Sequence, residues 1–204
     1  MPDGAPLVLA FDTSAAHCAA ALLCGDRILS EVRKEMDRGQ AERLLPLCAD
    51  LLRAEGRTLA ELDAIGVGVG PGNFTGIRIA VSAARGLALG LGIPAVGVSA
   101  FEALRFGHDG PCACAVAAPR GMVYVQVYGA DGLRPPVLVG TGDFPRHDGP
   151  LIGAGGQPPV HGPAASIAHV ARARFETETA RPAPLYLRPA DAAPARDLPP
   201  EILP

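Results

Sequence analysis

The sequence predicts an α/β fold, a mixed sheet with helices on its faces, and three observations carry that prediction. Short apolar runs alternate with helix-length segments through residues 1–107 in the order β-β-β-α-β-α-β-α. The run "LDAIGVGVG" is apolar at nearly every position, the pattern of a strand covered on both faces. Of all residues 49% are apolar, yet only 4% are aromatic and none is Trp. Ala, Gly, Leu and Val must therefore fill the interior by close approach of backbones.

Each element follows from its own stretch. Residues 7–12, "LVLAFD", read as a buried strand ending in Asp. "HCAAALLCGDRILSEVRKE" reads as two strands joined at Gly25-Asp26, where glycine supplies the positive φ of the turn. "GQAERLLPLCADLLRAE" is helical and stops at Gly56. Pro46 inside it is expected to kink the helix or mark a late start, because it removes a backbone hydrogen bond. "LDAIGVGVG" is the next strand, followed by a glycine-rich loop and helix, the strand "PAVGV" and the capped helix "SAFEALRFG". After Pro111 come strands "CACAVAA" and "MVYVQVYG" around the turn Pro119-Arg120-Gly121. "LRPPVLVG" and "PLIGAGG" supply two more strands and "AASIAHVARARF" a short helix. On this reading 1–107 form one unit, 108–188 a smaller second one, and the proline-rich 189–204 a mostly disordered tail.

A chain of 204 residues suits one large domain or two small ones. A net charge of −3 gives no general attraction for nucleic acid, so an RNA partner would be held mainly by another subunit. The five cysteines are odd in number and include no C-x-x-C, which suits small buried hydrophobes in a reducing compartment; Cys112 and Cys114 share one strand face. No pair of histidines stands at i, i+4, so His17, His108, His147, His161 and His169 are expected at the solvent surface and no metal is expected. The N-terminus lacks a secretory pattern, and the longest uncharged stretch, Gly86 to Phe101, is too broken by glycines and Pro94 to span a bilayer. A cytoplasmic protein with no membrane contact is the expectation.

The stretch "GVGPGNFTGIRIAVSAARGLALGLGIP" looks built for phosphate but fails both standard tests. In a dinucleotide fingerprint G-x-G-x-x-G the third glycine would fall at Thr75, and Gly76 comes one residue late. A phosphate loop needs a lysine, and the only lysine is Lys34. The simpler account is a helix lead-in: Gly70 and Gly72 permit positive φ around Pro71, Asn73 or Thr75 caps the helix, and Phe74 tucks under the loop. The helix that follows is small around most of its girth, with Arg78, Ser82 and Arg85 as one narrow polar stripe. The earlier helix, with Leu44, Leu45, Leu47, Cys48, Leu51 and Leu52, is equally short of solvated face, and such helices want burial on two sides.

The same stretch, with its G-P-G-x-F-T-G-x-R core, closely resembles the signature of the TsaB family. "LAFDTS", "AERLLPLCADLL" and "PLYLRPADA" agree in order and spacing, and the similarity covers most of residues 7–191, strongest at 64–104. The resemblance implies an actin, sugar-kinase and heat-shock-ATPase type of fold, two-lobed and here with a shortened second lobe. It implies a non-catalytic subunit that pairs with a TsaD-like enzyme in forming N6-threonylcarbamoyladenosine at position 37 of tRNA, with a TsaE-like ATPase as third member. It also implies pairing with that enzyme, or with a second copy, through the two helices, at Gln40, Arg43, Leu44, Leu47, Leu51, Arg78, Val81, Ser82 and Arg85. Leu47 is read as pointing outward. No cofactor is implied, and a bound nucleotide is doubtful.

Two departures stand out. Gln40-Ala41 replace a His-Ser common in relatives. Ala117, Ala118 and Pro119 stand where Asp-Ala-Arg is usual, with Arg120 the nearest substitute. Asp12 and Thr13 end the first strand where nucleotide-binding members of the superfamily place a phosphate/Mg²⁺ carboxylate. A vestigial phosphate/Mg²⁺ site is one account of them. The other, preferred because no second phosphate loop is present, is a hydrogen-bonded turn. The rival to the scaffold reading is a small-molecule kinase or ATPase of the same superfold, which would need Asp12 and a phosphate loop in each lobe.

Overall fold

The computed structural model describes residues 4–187. The expectation for 189–204 lies outside them. Strands β1 (Leu7–Asp12), β2 (His17–Cys24) and β3 (Arg27–Glu35) form a meander, followed by helix α1 (Gln40–Ala54) and β4 (Ala64–Gly68). Helix α2 (Phe74–Leu91), β5 (Ala95–Val98) and helix α3 (Ala100–Arg105) complete the first part. The first sheet runs β3-β2-β1-β4-β5, antiparallel at β1–β2–β3 and parallel at β1–β4–β5. Strands β6 (Cys112–Ala118), β7 (Met122–Gly129), β8 (Gly132–Leu133), β9 (Val137–Gly140) and β10 (Leu151–Gly153) form the second sheet, and α4 (Pro163–Arg174) is the last element among the described residues.

Both faces of the first sheet are covered, as the unbroken apolar runs require. Every residue of β1 and β4 is buried. Strand alternation sends Leu7, Leu9, Phe11, Ile65 and Val67 toward α1 and α2. Val8, Ala10, Ala64, Val96 and Val98 face the other way, toward α4. The helix at 163–174, which chain order assigns to the second unit, thus docks on the first sheet. Gly66 allows this: a Cβ there would lie 2.9 Å from the Ala171 Cβ and 3.0 Å from Ile167. Periodicity marks a helix's apolar face but does not say which sheet receives it.

Pro46 leaves α1 an unbroken 15-residue helix. It does not mark a late start, because its missing N–H and ring lie on the exposed side. Four of the five cysteines are buried and Cys24 is half-buried. Burial pushes the Cys48 thiol up to about 12 and raises Cys18 and Cys114, so these thiols stay neutral and inert. Among the described residues, α2 is the one helix long and apolar enough to cross a membrane by length and composition; here it packs on β4, β1 and β5.

Helices α3 and α4 are tied by one carboxylate. Glu102 closes a capping box with Ser99, and its other oxygen accepts from Arg174 of α4. Burial pushes this carboxyl up, but the Ser99 N–H, the Arg174 guanidinium and the Ser99 hydroxyl outweigh it and hold it below its ordinary value. A carboxyl depressed in the folded state stabilises above its unfolded value, and that contribution is lost as pH falls through the folded one. Glu102→Gln is therefore expected to lower the Tm at pH 7 by about 3 °C. The gap to the parent should narrow as pH falls below the ordinary glutamate value of about 4.3 and on through the depressed folded value. Thermal unfolding followed from pH 7 to pH 3.5 checks this; an equal gap throughout would remove the charge from the account.

Candidate functional site

The glycine-rich loop holds a helix against a strand end. Asn73 is the cap: its Oδ1 accepts from the Gly76 N–H at 2.9 Å. The Asn73 N–H donates to the Ser14 carbonyl at 2.6 Å, and the Thr13 hydroxyl donates to the Gly76 carbonyl at 2.7 Å. A Cβ at Gly72 would overlap the Ser14 carbonyl oxygen, and one at Gly76 the Thr13 carbonyl oxygen. Gly70 has φ 94°, whereas Gly72 is required for space and not for positive φ. Phe74 does not tuck under the loop. As the first helical residue it points outward, its ring 4.7 Å from that of Tyr186 and 3.7 Å beneath the Arg78 guanidinium. The Arg78 Nε–H also donates to the Tyr186 hydroxyl at 2.9 Å. Tyr186 is 108 residues away from Arg78 in the chain, so no local pattern could have announced this stack.

Of the interface residues expected from sequence, Arg78, Ser82 and Arg85 lie exposed on the outer face of α2. Arg43 is half-buried beside Asp50. The apolar members sit elsewhere. Leu44, Leu47, Leu51 and Val81 are all in the core between the sheet and the two helices, Leu47 being 2% and Val81 3% exposed. The expectation that Leu47 points outward is corrected: positions 44, 47, 48 and 51 are spaced by three and four and so share one helical face. Gln40 is also buried, its amide donating to the Met36 carbonyl at 3.0 Å. On these two helices the large apolar side chains that are exposed are Leu45, at 48%, and Leu89, at 82%. Leu89 continues the stripe of 78, 82 and 85 by one more step of four, and Gly86 and Gly90 beside it have open space where a side chain would stand.

Asp12 lies on the opposite face of the sheet. Its two oxygens accept from the Ser14 N–H at 3.2 Å, the Ser14 hydroxyl at 3.0 Å and His17 Nε2 at 2.7 Å. His17 is thus not at the surface: it is 5% exposed and paired. The two residues flank a tight turn, and strand parity would have put both on one face. Thr13 is buried on Gly76. With three donors converging on Asp12, the geometry does not fit a resident Mg²⁺; the carboxylate serves the turn and the imidazole. Among the described residues no three His, Cys, Asp or Glu side chains gather to hold a metal ion. Arg120 stands in the β6–β7 turn at φ 63°, exposed and away from these groups.

Residues 27–133 match the family model described as TsaD: tRNA N6-adenosine threonylcarbamoyltransferase. The chain is 37% identical over 100 residues to TsaB of Escherichia coli, a stretch of 49% of this chain and 43% of that protein. It therefore spans less than half the length of that relative. A protein of Mycobacterium tuberculosis is 33% identical over 201 residues, 92% of this chain and 94% of its own. The solved structure of YeaZ from Pseudomonas aeruginosa superposes with a TM-score of 0.70 at 32% identity, over 89% of this chain and all of the other. The chain belongs to the TsaB family. The two-lobed fold implied for TsaB is the architecture found, and among the described residues the second sheet has no covering helix as long as α1 or α2.

Three substitutions test how this TsaB-family chain uses its helices. Leu47→Glu would bury an unpaired carboxylate, which costs several kcal/mol, about 3–5 by analogy with broken buried pairs. It is expected to unfold the chain or lower its Tm by more than about 10 °C, read by circular dichroism. Gly76→Ala should cost about 2–3 kcal/mol by overpacking against Thr13. Gly86→Ala, facing open space in mid-helix, should gain about 0.5–1 kcal/mol. Chemical denaturation of the pair separates close approach from helix propensity, and equal effects at both sites would deny the close approach any energetic role.

Proposed function

We propose that this chain is a non-catalytic scaffold subunit, acting in the cytoplasm, that pairs with a TsaD-like enzyme and supports threonylcarbamoyl transfer to N6 of adenosine 37 in tRNA. The observation that carries the reading is the outer face of α2. Arg78, Ser82, Arg85 and Leu89 form a continuous exposed stripe. Arg78 is held rigid at one end by Phe74 and Tyr186, while Leu89 stands nearly bare at the other among glycines that let a partner backbone come close. A preformed cationic anchor costs little side-chain entropy on association, and a bare leucine gains from burial. The family's naming as tRNA threonylcarbamoyladenosine biosynthesis proteins supports the pathway. A TsaE-like ATPase would join the pair, and a second copy of this chain would use the same face when the enzyme is absent. The weakly acidic chain would meet tRNA only through its partner. The kinase alternative is disfavoured because both oxygens of Asp12 are already committed.

The test is Arg85→Glu with Leu89→Glu. Both positions are solvent-facing, so the double variant is expected to keep its Tm within about 2 °C, since exposed changes usually cost under about 0.5 kcal/mol. It should lose co-purification with a co-expressed TsaD-like enzyme and fail to support tRNA modification. Unchanged pairing in a folded variant would remove α2 from the contact.

A further inference from the structure

Between the two sheets, on the side of the first sheet away from α1 and α2, lies a cleft of about 300 Å³. Its floor is the α4-facing ends of β1 and β4, and its walls are α3, β6 and the loop leading into α4. That volume is at the small end of ligand pockets, which are mostly apolar with a few polar groups at one end. The walls here follow that rule. Leu104 and Ile167 supply apolar surface, and the ionisable side chains are Asp12, His17, Arg33 and His161.

The balance among those four points to an acid. Asp12, the one carboxylate among the described residues lining the cleft, is already partnered by Ser14 and His17. The others are cationic or can become so. Arg33 uses Nε on Glu35 at 2.6 Å, which leaves the two terminal nitrogens of its fork for a second acceptor. His161 is positioned by ring contacts with Phe106 at 5.4 Å and His169 at 5.9 Å between centroids. Gly162 packs directly against Glu31, which brings His161 beside the strand that carries Arg33. The polar end is also unfinished: buried His17 Nδ1 has no hydrogen-bond partner among the described residues. Leaving a buried nitrogen unpaired is unfavourable, a deficit that an incoming polar group removes.

We infer that the cleft binds a small monocarboxylate with a branched or single-ring apolar body. Its carboxylate lies at the Arg33–His161 end and its body against Leu104 and Ile167. The inference stands apart from the scaffold reading, since the cleft and the outer face of α2 lie on opposite sides of the sheet and either can fail alone.

The experiment titrates the full chain with 3-methylbutanoate and with benzoate, each against its neutral amide, while the His17 and His161 imidazole resonances are followed by NMR. Expected are saturable shifts with at least one acid, and binding at least tenfold weaker for its amide. Arg33→Gln, on the half-exposed edge strand, should also weaken binding at least tenfold at unchanged Tm. His161→Gln repeats the test should Arg33→Gln alter the fold. Absence of saturation with both acids, equal binding of acid and amide, unaltered affinity in the folded variants, or the same shifts from sodium chloride would each overturn the inference.

Discussion

The structure hangs on the close approach of the α2 lead-in to the end of β1. Two backbone segments meet there with no side chain between them: Gly72 against the Ser14 carbonyl and Gly76 against that of Thr13. The hydrogen bonds from Asn73 and Thr13 cross the same gap. Because β1 is central in its sheet, this contact fixes where α2 begins and how it lies across the sheet. It also fixes the Asp12–His17 turn, since Ser14 serves both: its carbonyl takes the Asn73 N–H while its own N–H and hydroxyl satisfy Asp12. A helix start, a strand end and a buried Asp–His hydrogen bond therefore share one small set of atoms.

The second consequence is a division of labour between the faces of one sheet. Strand alternation directs even positions of β1 to α4 and odd positions to α1 and α2. Asp12 and Gly68 end on the cleft side together, close enough that a Cβ at Gly68 would overlap the Asp12 carboxylate. Anything bound in the cleft thus touches groups with even parity, while a partner on α2 is separated from them by the thickness of the sheet. What couples the two is the shared turn at Ser14, whose backbone and side chain face different neighbours. The returning segment adds a second tie, with the Leu185 N–H donating to the Val69 carbonyl at 2.8 Å just before the loop, and Tyr186 then reaching the outer face.

Most of the fold was legible because strands and helices here are set by local pattern. The meander, the Gly25 turn, the capped helix after Ser99 and the Pro119-Arg120-Gly121 turn all rest on residues adjacent in sequence. What escaped was set by packing partners distant in the chain. The docking of α4 depends on Gly66, a hundred residues upstream of Ile167. The Phe74–Arg78–Tyr186 stack joins residues with no shared pattern. Metal spacing says nothing about His17, whose burial follows from a carboxylate across a turn. The error at Leu47 is different in kind: its spacing from Leu44 and Leu51 already put it on the buried face, and the apolar girth of the helix was mistaken for a second binding side.

That error exposes a general ambiguity in helices made of small and apolar residues. In α2 the same composition meets two unrelated demands. Gly76 is small because a strand end occupies the place of its side chain, whereas a Cβ at Gly86 or Gly90 would meet nothing within 4 Å. Mid-helix glycines that face open space lower helix stability without any compensating contact inside the chain. A run that tolerates this twice beside a leucine 82% exposed has its packing unfinished on that side. In α1 the leucines look similar on paper, yet all but Leu45 are consumed by the core. The weight of the outer surface therefore falls on α2, and within α2 on its C-terminal half, where neither the sheet nor the returning segment around Tyr186 covers it.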